Sequence, residues 1–245
     1  MPIGYYSQYY LGASVVASSI QATTADDYLA QAKALLSKKG GERDVIKLAG
    51  EALATRQSAE AYFYRAYAKD DLGDKQGAIA DLSQAIAINP RDANVYYNRG
   101  NAKFGLGDKQ GAIADYNQAI SMNPRDANAY YNRGNAKSDL GDKQGAIADY
   151  NQALAINPQN AAAYNNRGNA RSDLGDKQGA IADYNQALAI NPQIALTYYR
   201  RGKAKSDLGD KQGACLDYKK AASLGAPATA QWLNSDGGAW CRNMP

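Results

Sequence analysis

The chain has 245 residues, with 28 Lys and Arg against 24 Asp and Glu and a formal net charge of +4. The two signs are interspersed, so no basic face is predicted and we expect no nucleic-acid partner. Histidine, the commonest general base and metal ligand, does not occur, and we expect no metal, no cofactor and no catalysis. No window approaches the roughly 18 apolar residues of a membrane span.

Residues 1–24 do not share the pattern of the rest of the chain. Their apolar run from Leu11 to Ile20 has the rough outline of a signal peptide, but the first cationic residue is Lys33 and the basic region of a signal is missing. We therefore predict a tail or an extra helix at residues 1–24 and a cytoplasmic protein. Export remains the alternative.

A repeated hexapeptide, Gly-Asp-Lys-Gln-Gly-Ala, organises the remainder. Its copies begin at Gly73, Gly107, Gly141, Gly175 and Gly209, each 34 residues after the last. A fixed period of this length is typical of stacked helix–turn–helix units. The sequence therefore predicts an all-α fold, an α–α superhelix (solenoid) of about six helix–turn–helix repeats with short capping segments.

The repeat boundaries follow from this period. Residues 25–58 have helical spacing interrupted at Gly40 and Gly41 and are predicted to form a degenerate capping unit, since the outer face of a terminal repeat meets solvent. Together with five clear repeats it forms the predicted domain, residues 25–228. The clear repeats are 59–92, 93–126, 127–160, 161–194 and 195–228.

The unit from Ala127 shows how the residues specify each repeat. Asp126 is the expected N-cap of a first helix, because its carboxylate can accept from free amides of the first turn. Gly141 can adopt the left-handed conformation that ends this helix, and Asp142 caps the second helix at once. Pro158 stops that second helix, because proline disfavours helical geometry in the residue before it.

Residues 229–245 are predicted to be a cap helix and tail. The helix begins near Pro227 and uses Trp232 to cover the last repeat. We expect it to end at the two glycines that precede Trp240, which leaves Trp240 and Cys241 in a mobile tail. Cys215 and Cys241 fit neither a disulfide framework nor a metal site, and Cys215 is interpreted as a small core residue.

The units resemble tetratricopeptide repeats, in an array of bacterial type. In the unit from Ala127 the resemblance rests on Tyr130, Gly134, Ala146, Tyr150, Ala153 and Pro158. Departures are Ala66 in place of the small glycine and Ala226 in place of the last proline. The resemblance implies a right-handed superhelix whose first helices line a concave groove. It also implies a scaffold that binds a peptide or partner protein without catalysis.

Asparagine and tyrosine side chains dominate the positions that the resemblance places in the groove. Asparagine has two donors and an acceptor for a peptide backbone, and tyrosine adds apolar contact. Alternatively, these asparagines are hydrated consensus residues. The predicted peptide-binding residues are Tyr97, Asn98, Asn101, Tyr131, Asn132, Asn135, Asn165, Asn166, Asn169, Tyr199, Arg200 and Lys203.

A carboxylate clamp, as in chaperone-binding members of the family, is disfavoured. Asn135, Asn166 and Arg200 match its motif, but Tyr131 and Leu196 stand where its two lysines should be. Losing two cations from a charge-assisted site should cost several kcal/mol, about 1.5–3 for each hydrogen bond.

A second series pairs an arginine of each first helix with an aspartate sixteen residues later. The pairs are Arg65 and Asp81, Arg99 and Asp115, Arg133 and Asp149, Arg167 and Asp183, and Arg201 and Asp217. We predict a structural ladder of bridges within the helical hairpins. The leading functional prediction is a non-catalytic adaptor. The alternative is a self-assembling structural protein, a homo-oligomer formed through end-to-end or terminal-segment contacts.

Overall fold

A computed structural model of the protein describes residues 24–36, 38 and 40–242. These residues form fourteen α-helices and one short 3-10 helix, Asp236–Gly238, and contain no strand. The predicted tail at residues 1–24 lies, but for Thr24, outside the described residues. The helices are α1 Ala25–Leu35, α2 Glu42–Thr55, α3 Ala59–Asp71, α4 Lys75–Ile88, α5 Ala93–Gly105, α6 Lys109–Met122, α7 Ala127–Asp139, α8 Lys143–Ile156, α9 Ala161–Asp173, α10 Lys177–Ile190, α11 Ala195–Asp207, α12 Lys211–Ser223, α13 Pro227–Asn234 and α14 Ala239–Arg242.

The turn within each repeat is built as the sequence predicts. Gly141 has a φ of +89°, a conformation that costs glycine little and other residues more. The Asp142 carboxylate accepts from the Gly145 amide at 2.8 Å and caps α8. Leu140 also lies between the two helices, so three residues connect them. Asp126 caps α7 by accepting from two amides of its first turn.

Helices pack against their neighbours along the chain, and the predicted all-α superhelix is confirmed. Each first helix also contacts the first helix of the next repeat, as α5 contacts α7 and α7 contacts α9. Over the described part of the chain, second helices make no comparable contacts with one another. The first helices therefore lie on the tighter, concave side of the solenoid.

Small residues against tyrosine rings form the core between the two helices of a repeat. A Cβ on Gly100 would lie 2.7 Å from Cε1 of Tyr116, so only glycine fits beside this fully buried ring. The first clear repeat carries Ala66 at the glycine position and Leu82 at the tyrosine position, both buried. The extra methyl of Ala66 is thus accommodated by a narrower partner, which explains this departure.

The predicted Arg–Asp ladder is present in all five repeats. In α7 and α8, Arg133 donates from Nε and Nη2 to the two oxygens of Asp149, at 2.9 and 2.5 Å. Lys137 adds a second cation at 2.8 Å from Asp149. Arg133 also lies over the Tyr130 ring, 5.4 Å from its centroid. The aspartate is 3% exposed, and its charge is compensated by two cations.

The same arginine links neighbouring repeats, which sequence reasoning did not foresee. Arg133 Nη1 donates to Asn117 of the preceding repeat at 2.7 Å. Arg167 and Arg201 make the same bond, at the same distance, to Asn151 and Asn185. Each guanidinium therefore joins a first helix to two second helices, its own and the one before.

The prediction for the C-terminal segment is wrong in two respects. Beyond α13 the chain forms α14, and Trp240 packs against Trp232 with ring centroids 6.0 Å apart. Cys241 is fully buried and forms a disulfide with Cys215 of α12. The pair escaped prediction because the two cysteines are 26 residues apart and meet only after α13 folds back over the last repeat.

Candidate peptide-binding groove

The predicted groove residues lie on four consecutive first helices, α5, α7, α9 and α11, on the concave side. An open cavity of about 600 Å³ occupies the C-terminal half of this surface, here called the groove cavity. Six of the twelve predicted residues line it, namely Asn135, Asn166, Asn169, Tyr199, Arg200 and Lys203. The other six do not line it, namely Tyr97, Asn98, Asn101, Tyr131, Asn132 and Asn165.

Tyrosines of the first helices pack on the core tyrosines below them. Tyr131 lies with its ring centroid 6.0 Å from that of Tyr150, and equivalent contacts occur at Tyr97 and Tyr199. The repeat at 161–194 has Asn165 in place of this tyrosine. The aromatic floor of the groove is therefore interrupted at one repeat.

The groove asparagines are hydrogen-bonded across repeats. Asn132 Nδ2 donates to the hydroxyl of Tyr97 at 3.1 Å and to Asn101 Oδ1 at 2.9 Å. One repeat later, Asn166 Nδ2 donates to Tyr131 at 3.1 Å and to Asn135 Oδ1 at 3.0 Å. These amides stabilise the stacking of repeats, a role that reading one repeat at a time did not reveal.

The asparagine hydrogen bonds between repeats begin between the second and third clear repeats. Asn98 donates to the Asn94 carbonyl of its own helix at 2.8 Å and has no such bond to the repeat before. The reason is local, since Phe63 and Tyr67 stand where Tyr97 and Asn101 would provide acceptors. At the other end, Asn165 accepts from the Thr197 hydroxyl at 2.9 Å.

One asparagine in each of the three middle clear repeats keeps its amide donors free. The core tyrosines Tyr116, Tyr150 and Tyr184 donate to the Oδ1 atoms of the asparagines Asn101, Asn135 and Asn169, at 2.8 to 2.9 Å. Within the described chain, the Nδ2 atoms of these three asparagines make no hydrogen bond. Hydrogen-bond acceptors such as peptide carbonyls therefore match this row of free N–H groups.

The core tyrosines are protonated at neutral pH and act as donors, and burial raises their pKa further. Burial raises the pKa of Tyr184 to about 12, against a smaller lowering by the nearby Arg200 charge. Burial likewise raises the pKa of Tyr116 and of Tyr150 above the ordinary value. The neutral phenols orient each asparagine with its oxygen toward the core.

Carboxylates beside the groove are paired with lysines of the preceding repeat. Lys143 Nζ lies 3.2 Å from Asp173, and Lys177 Nζ lies 3.2 Å from Asp207. Arg200 and Lys203 have no carboxylate within 4.0 Å among the described residues. The net charge at the C-terminal end of the groove is consequently positive.

One residue of the carboxylate-clamp motif, Asn166, already uses its amide donors within the protein. Asn166 gives its amide donors to Asn135 and Tyr131, and Tyr131 and Leu196 supply no positive charge. The structure thus brings Asn135, Asn166 and Arg200 to one cavity, but the Asn166 donors are occupied and the two lysines that a clamp requires are missing.

A second depression, which we call the cap pocket, was missed from the sequence. It holds about 640 Å³ between α11, α12 and α13 and is lined by Leu196, Tyr199, Tyr218, Pro227 and Trp232, among others. It was missed because α13 lies outside the repeat pattern. The apolar residues of α13 are the feature of the sequence that could have indicated it.

No group of His, Cys, Asp or Glu side chains in the described chain could hold a metal ion. Among the described helices, none combines the length and apolarity needed to cross a bilayer.

Comparisons with known proteins agree with this architecture. A family model for the TPR repeat matches residues 71–107, 104–141 and 134–175. Two models for the tetratricopeptide repeat match residues 161–194 and 195–224. The comparison with curated proteins gave no match.

Several solved structures have the same fold. MamA is 25% identical, with a TM-score of 0.64 over 67% of this chain and 96% of that chain. A repeat protein from Cytophaga hutchinsonii is 20% identical, with a TM-score of 0.70 over 84% and 82%. YrrB, described as a TPR protein with an unusual peptide-binding site, is 16% identical, with a TM-score of 0.66 over 76% and 97%. The family models together match residues 71–224, and these matches show that the chain belongs to the tetratricopeptide-repeat family.

Proposed function

We propose that the protein is a non-catalytic scaffold that binds an extended peptide segment of a partner protein in its concave groove. The observation that carries this proposal is the row of free amide donors at Asn101, Asn135 and Asn169, spaced one repeat apart. An extended chain presents carbonyl acceptors all along its length, so several weak contacts can add up. MamA and YrrB support the fold of such a scaffold, and the peptide-binding site printed for YrrB belongs to that protein.

The absence of catalysis is part of the proposal. It is supported by the lack of histidine and by the use of the aspartates as helix caps and ion-pair partners. The interspersed charges likewise support a peptide ligand over a nucleic acid.

The triple variant N101D/N135D/N169D tests the groove. Each aspartate keeps the oxygen that accepts from a core tyrosine but replaces the free amide donors with a negative charge. Peptides selected from a random library on the wild-type protein should lose about tenfold or more in affinity by calorimetry, equivalent to about 1.4 kcal/mol.

The matched control is N117D/N151D/N185D, the same change on the second helices, where each oxygen accepts from an arginine. It should bind like the wild type. Equal affinity of the groove variant and wild type would place the peptide site elsewhere on the molecule.

The alternative, self-assembly, is supported by a different observation. Five leucines, one beside each intra-repeat turn, are 44–50% exposed: Leu72, Leu106, Leu140, Leu174 and Leu208. This row offers lateral contact between copies, whereas end-to-end stacking would displace the disulfide-bonded cap. If the wild type self-associates, its apparent mass in sedimentation equilibrium should rise with protein concentration. The variant L106Q/L140Q/L174Q should abolish that rise. A constant monomer mass for the wild type would contradict self-assembly.

Of the two locations considered from the sequence, the disulfide supports export over the cytoplasm. Structural disulfides persist in oxidising compartments and are rare in the cytosol. Cells quenched with a thiol alkylator should yield protein that carries no adduct at Cys215 and Cys241 by intact mass. Two adducts without reductant would support the cytoplasmic prediction instead.

A further inference from the structure

The last repeat departs from the others at two groove positions. Three preceding repeats carry a pair of asparagines on the first helix, at 98 and 101, 132 and 135, and 166 and 169. The last repeat carries Arg200 and Lys203 at the same two positions. They are three positions apart on α11, so the two cations lie about one turn apart on the same face.

Both cations are available to a ligand. They line the groove cavity, and within the described chain no carboxylate lies within 4.0 Å of either. The carboxylates of the same cavity, Asp139 and Asp173, are neutralised by Lys109 at 3.3 Å and Lys143 at 3.2 Å. The groove is therefore close to neutral along its length and positive where it ends.

The apolar cap pocket begins where the positive charge is. Tyr199 and Lys203 line both the groove cavity and the cap pocket, so the two spaces adjoin at these side chains. Leu196, at one side of the pocket, is 51% exposed. Trp232 forms another side and packs edge-on against Tyr218 with centroids 4.9 Å apart.

The disulfide supports this wall of the pocket. It joins α12, which carries Tyr218, to α14, and α14 carries Trp240, which packs against Trp232. The volume of about 640 Å³ is large enough for an aromatic or branched aliphatic side chain. A preformed apolar pocket beside two unpaired cations is complementary to a ligand with both features.

We propose that this end of the groove binds a segment of a partner protein in which a large apolar side chain is flanked by acidic side chains. The apolar side chain enters the cap pocket, and the carboxylates contact Arg200 and Lys203. This inference rests on the proposed function, because the rest of the segment lies in the groove.

Charge complementarity selects this occupant over the chain's own N-terminal segment. Residues 1–24 contain neither Asp nor Glu and offer no side-chain carboxylate to the two cations. A single terminal carboxylate is also a poorer match, because the Asn166 donors that would complete its site already bind Asn135 and Tyr131.

The test uses short peptides blocked at both ends, so that only side chains carry charge. One peptide has a phenylalanine flanked by glutamates. A second has glutamine for each glutamate, and a third has alanine for the phenylalanine. Binding to the full chain is followed by calorimetry and by tryptophan emission, since Trp232 and its neighbour Trp240 are the only two tryptophans.

The wild type should bind the acidic phenylalanine peptide about tenfold more tightly than the glutamine peptide at low salt. The preference should shrink as salt is added. The alanine peptide should bind more weakly and leave tryptophan emission unchanged. In R200N/K203N, which restores the asparagines of the earlier repeats, the acidic preference should disappear and the helical circular dichroism should stay.

A matched control removes two charges elsewhere. Arg91 and Arg125 are exposed and line neither cavity, and the next two repeats carry Gln159 and Gln193 at the same positions. R91Q/R125Q should keep the acidic preference. An equal loss in this control would reduce the effect to net charge and overturn the proposal.

Other outcomes separate this inference from the function on which it rests. A wild-type chain that binds the glutamine peptide equally well, with binding lost in N101D/N135D/N169D, would keep the groove and overturn the acidic site. Failure of every peptide, including those selected from the library, would overturn both. Binding of the acidic phenylalanine peptide with no change in tryptophan emission would overturn the placement of its apolar side chain in the cap pocket.

Discussion

At the scale of single residues, the five paired aspartates are the most deeply buried charged side chains among the described residues. Each is 2–4% exposed, with an arginine and a second cation on its two oxygens. Burial alone would raise the pKa of Asp81, but hydrogen bonds from Arg65 and Lys69 outweigh it and hold that pKa below the ordinary value. The contribution of Asp81 to stability is therefore present above its ordinary pKa of 3.8 and is lost as pH falls below it.

Changing Arg133 to Met should destabilise the fold by about 3 kcal/mol, because Asp149 keeps only Lys137 as a partner in a buried site. The free energy of unfolding in urea measures the effect. R133M/D149L should recover most of the loss, since no buried charge is then left without its arginine. A change of less than about 0.5 kcal/mol in R133M, the range of surface substitutions, would contradict a structural role for the ladder.

The core tyrosines predict an alkaline limit of stability. Burial raises the pKa of Tyr184 and of Tyr218 to about 12, from an ordinary value of 10.0. The unfolded chain loses these protons first, so their contribution is complete below pH 10 and is lost as pH rises toward 12. Near-ultraviolet tyrosinate absorbance should show a late phase that coincides with loss of helical circular dichroism. A single midpoint near 10 with intact helices would contradict this.

Sequence reasoning at this scale succeeded where contacts lie within one repeat. Arg133 and Asp149 were paired because a sixteen-residue spacing recurs in every unit. Asn132, however, bonds to Tyr97 and Asn101, which are 35 and 31 residues away in the neighbouring repeat. The rotation between repeats decides such contacts, and that rotation is not visible in a single unit.

At the scale of helices and turns, one glycine conformation recurs. Among the described residues, seven glycines have φ values between +85° and +89°, and five of them occupy the intra-repeat turns of the clear repeats. The amide of Asp142 donates to the Lys137 carbonyl at 3.0 Å across this turn, which satisfies a free carbonyl at the end of α7. The same turn conformation and closing hydrogen bond therefore recur in each clear repeat.

Replacing Gly141 by Ala should cost about 1 kcal/mol, because a side chain is strained at a φ of +89° although no atom would clash with its Cβ. Gly50→Ala is the matched control. Gly50 lies inside α2, with no atom within 4 Å of an added Cβ, and alanine should stabilise it by about 0.5–1 kcal/mol. Urea midpoints that move in the same direction would contradict the assignment of the turn.

The C-terminal elements show where sequence patterns stop being informative. The start of α13 at Pro227 and its cover over the last repeat were predicted, since proline and the apolar spacing are local signals. The return of the chain through α14 was not, because the glycines after α13 resemble a terminator. That return alone brings Cys241 to Cys215.

At the scale of the whole molecule, the described helices pack against helices that are near neighbours in sequence. Stability in such an array is close to a sum over repeats and their interfaces, so the ends should open before the middle. Here the two ends differ, because a disulfide holds the C-terminal cap and none holds α1 and α2 in the described chain.

Hydrogen exchange followed by mass spectrometry should show this asymmetry. Amides of α1 and α2 should exchange fastest, those of α7 and α8 slowest, and those of α12 in between. Reduction should speed exchange in α12 and α13 and leave α7 unchanged. Uniform protection across the chain, or no response to reductant, would contradict this order.

The near-identity of the middle repeats also affects how a periodic ligand is positioned. A ligand whose own spacing matches the solenoid meets the same row of amides after a shift of one unit. Alignments that differ by one repeat are therefore similar in their amide contacts, and the ligand can move along the groove in one-repeat steps. Arg200 and Lys203 occur once, in the last unit, and remove that translational symmetry. Contacts with the C-terminal end would therefore fix the alignment of such a ligand along the groove.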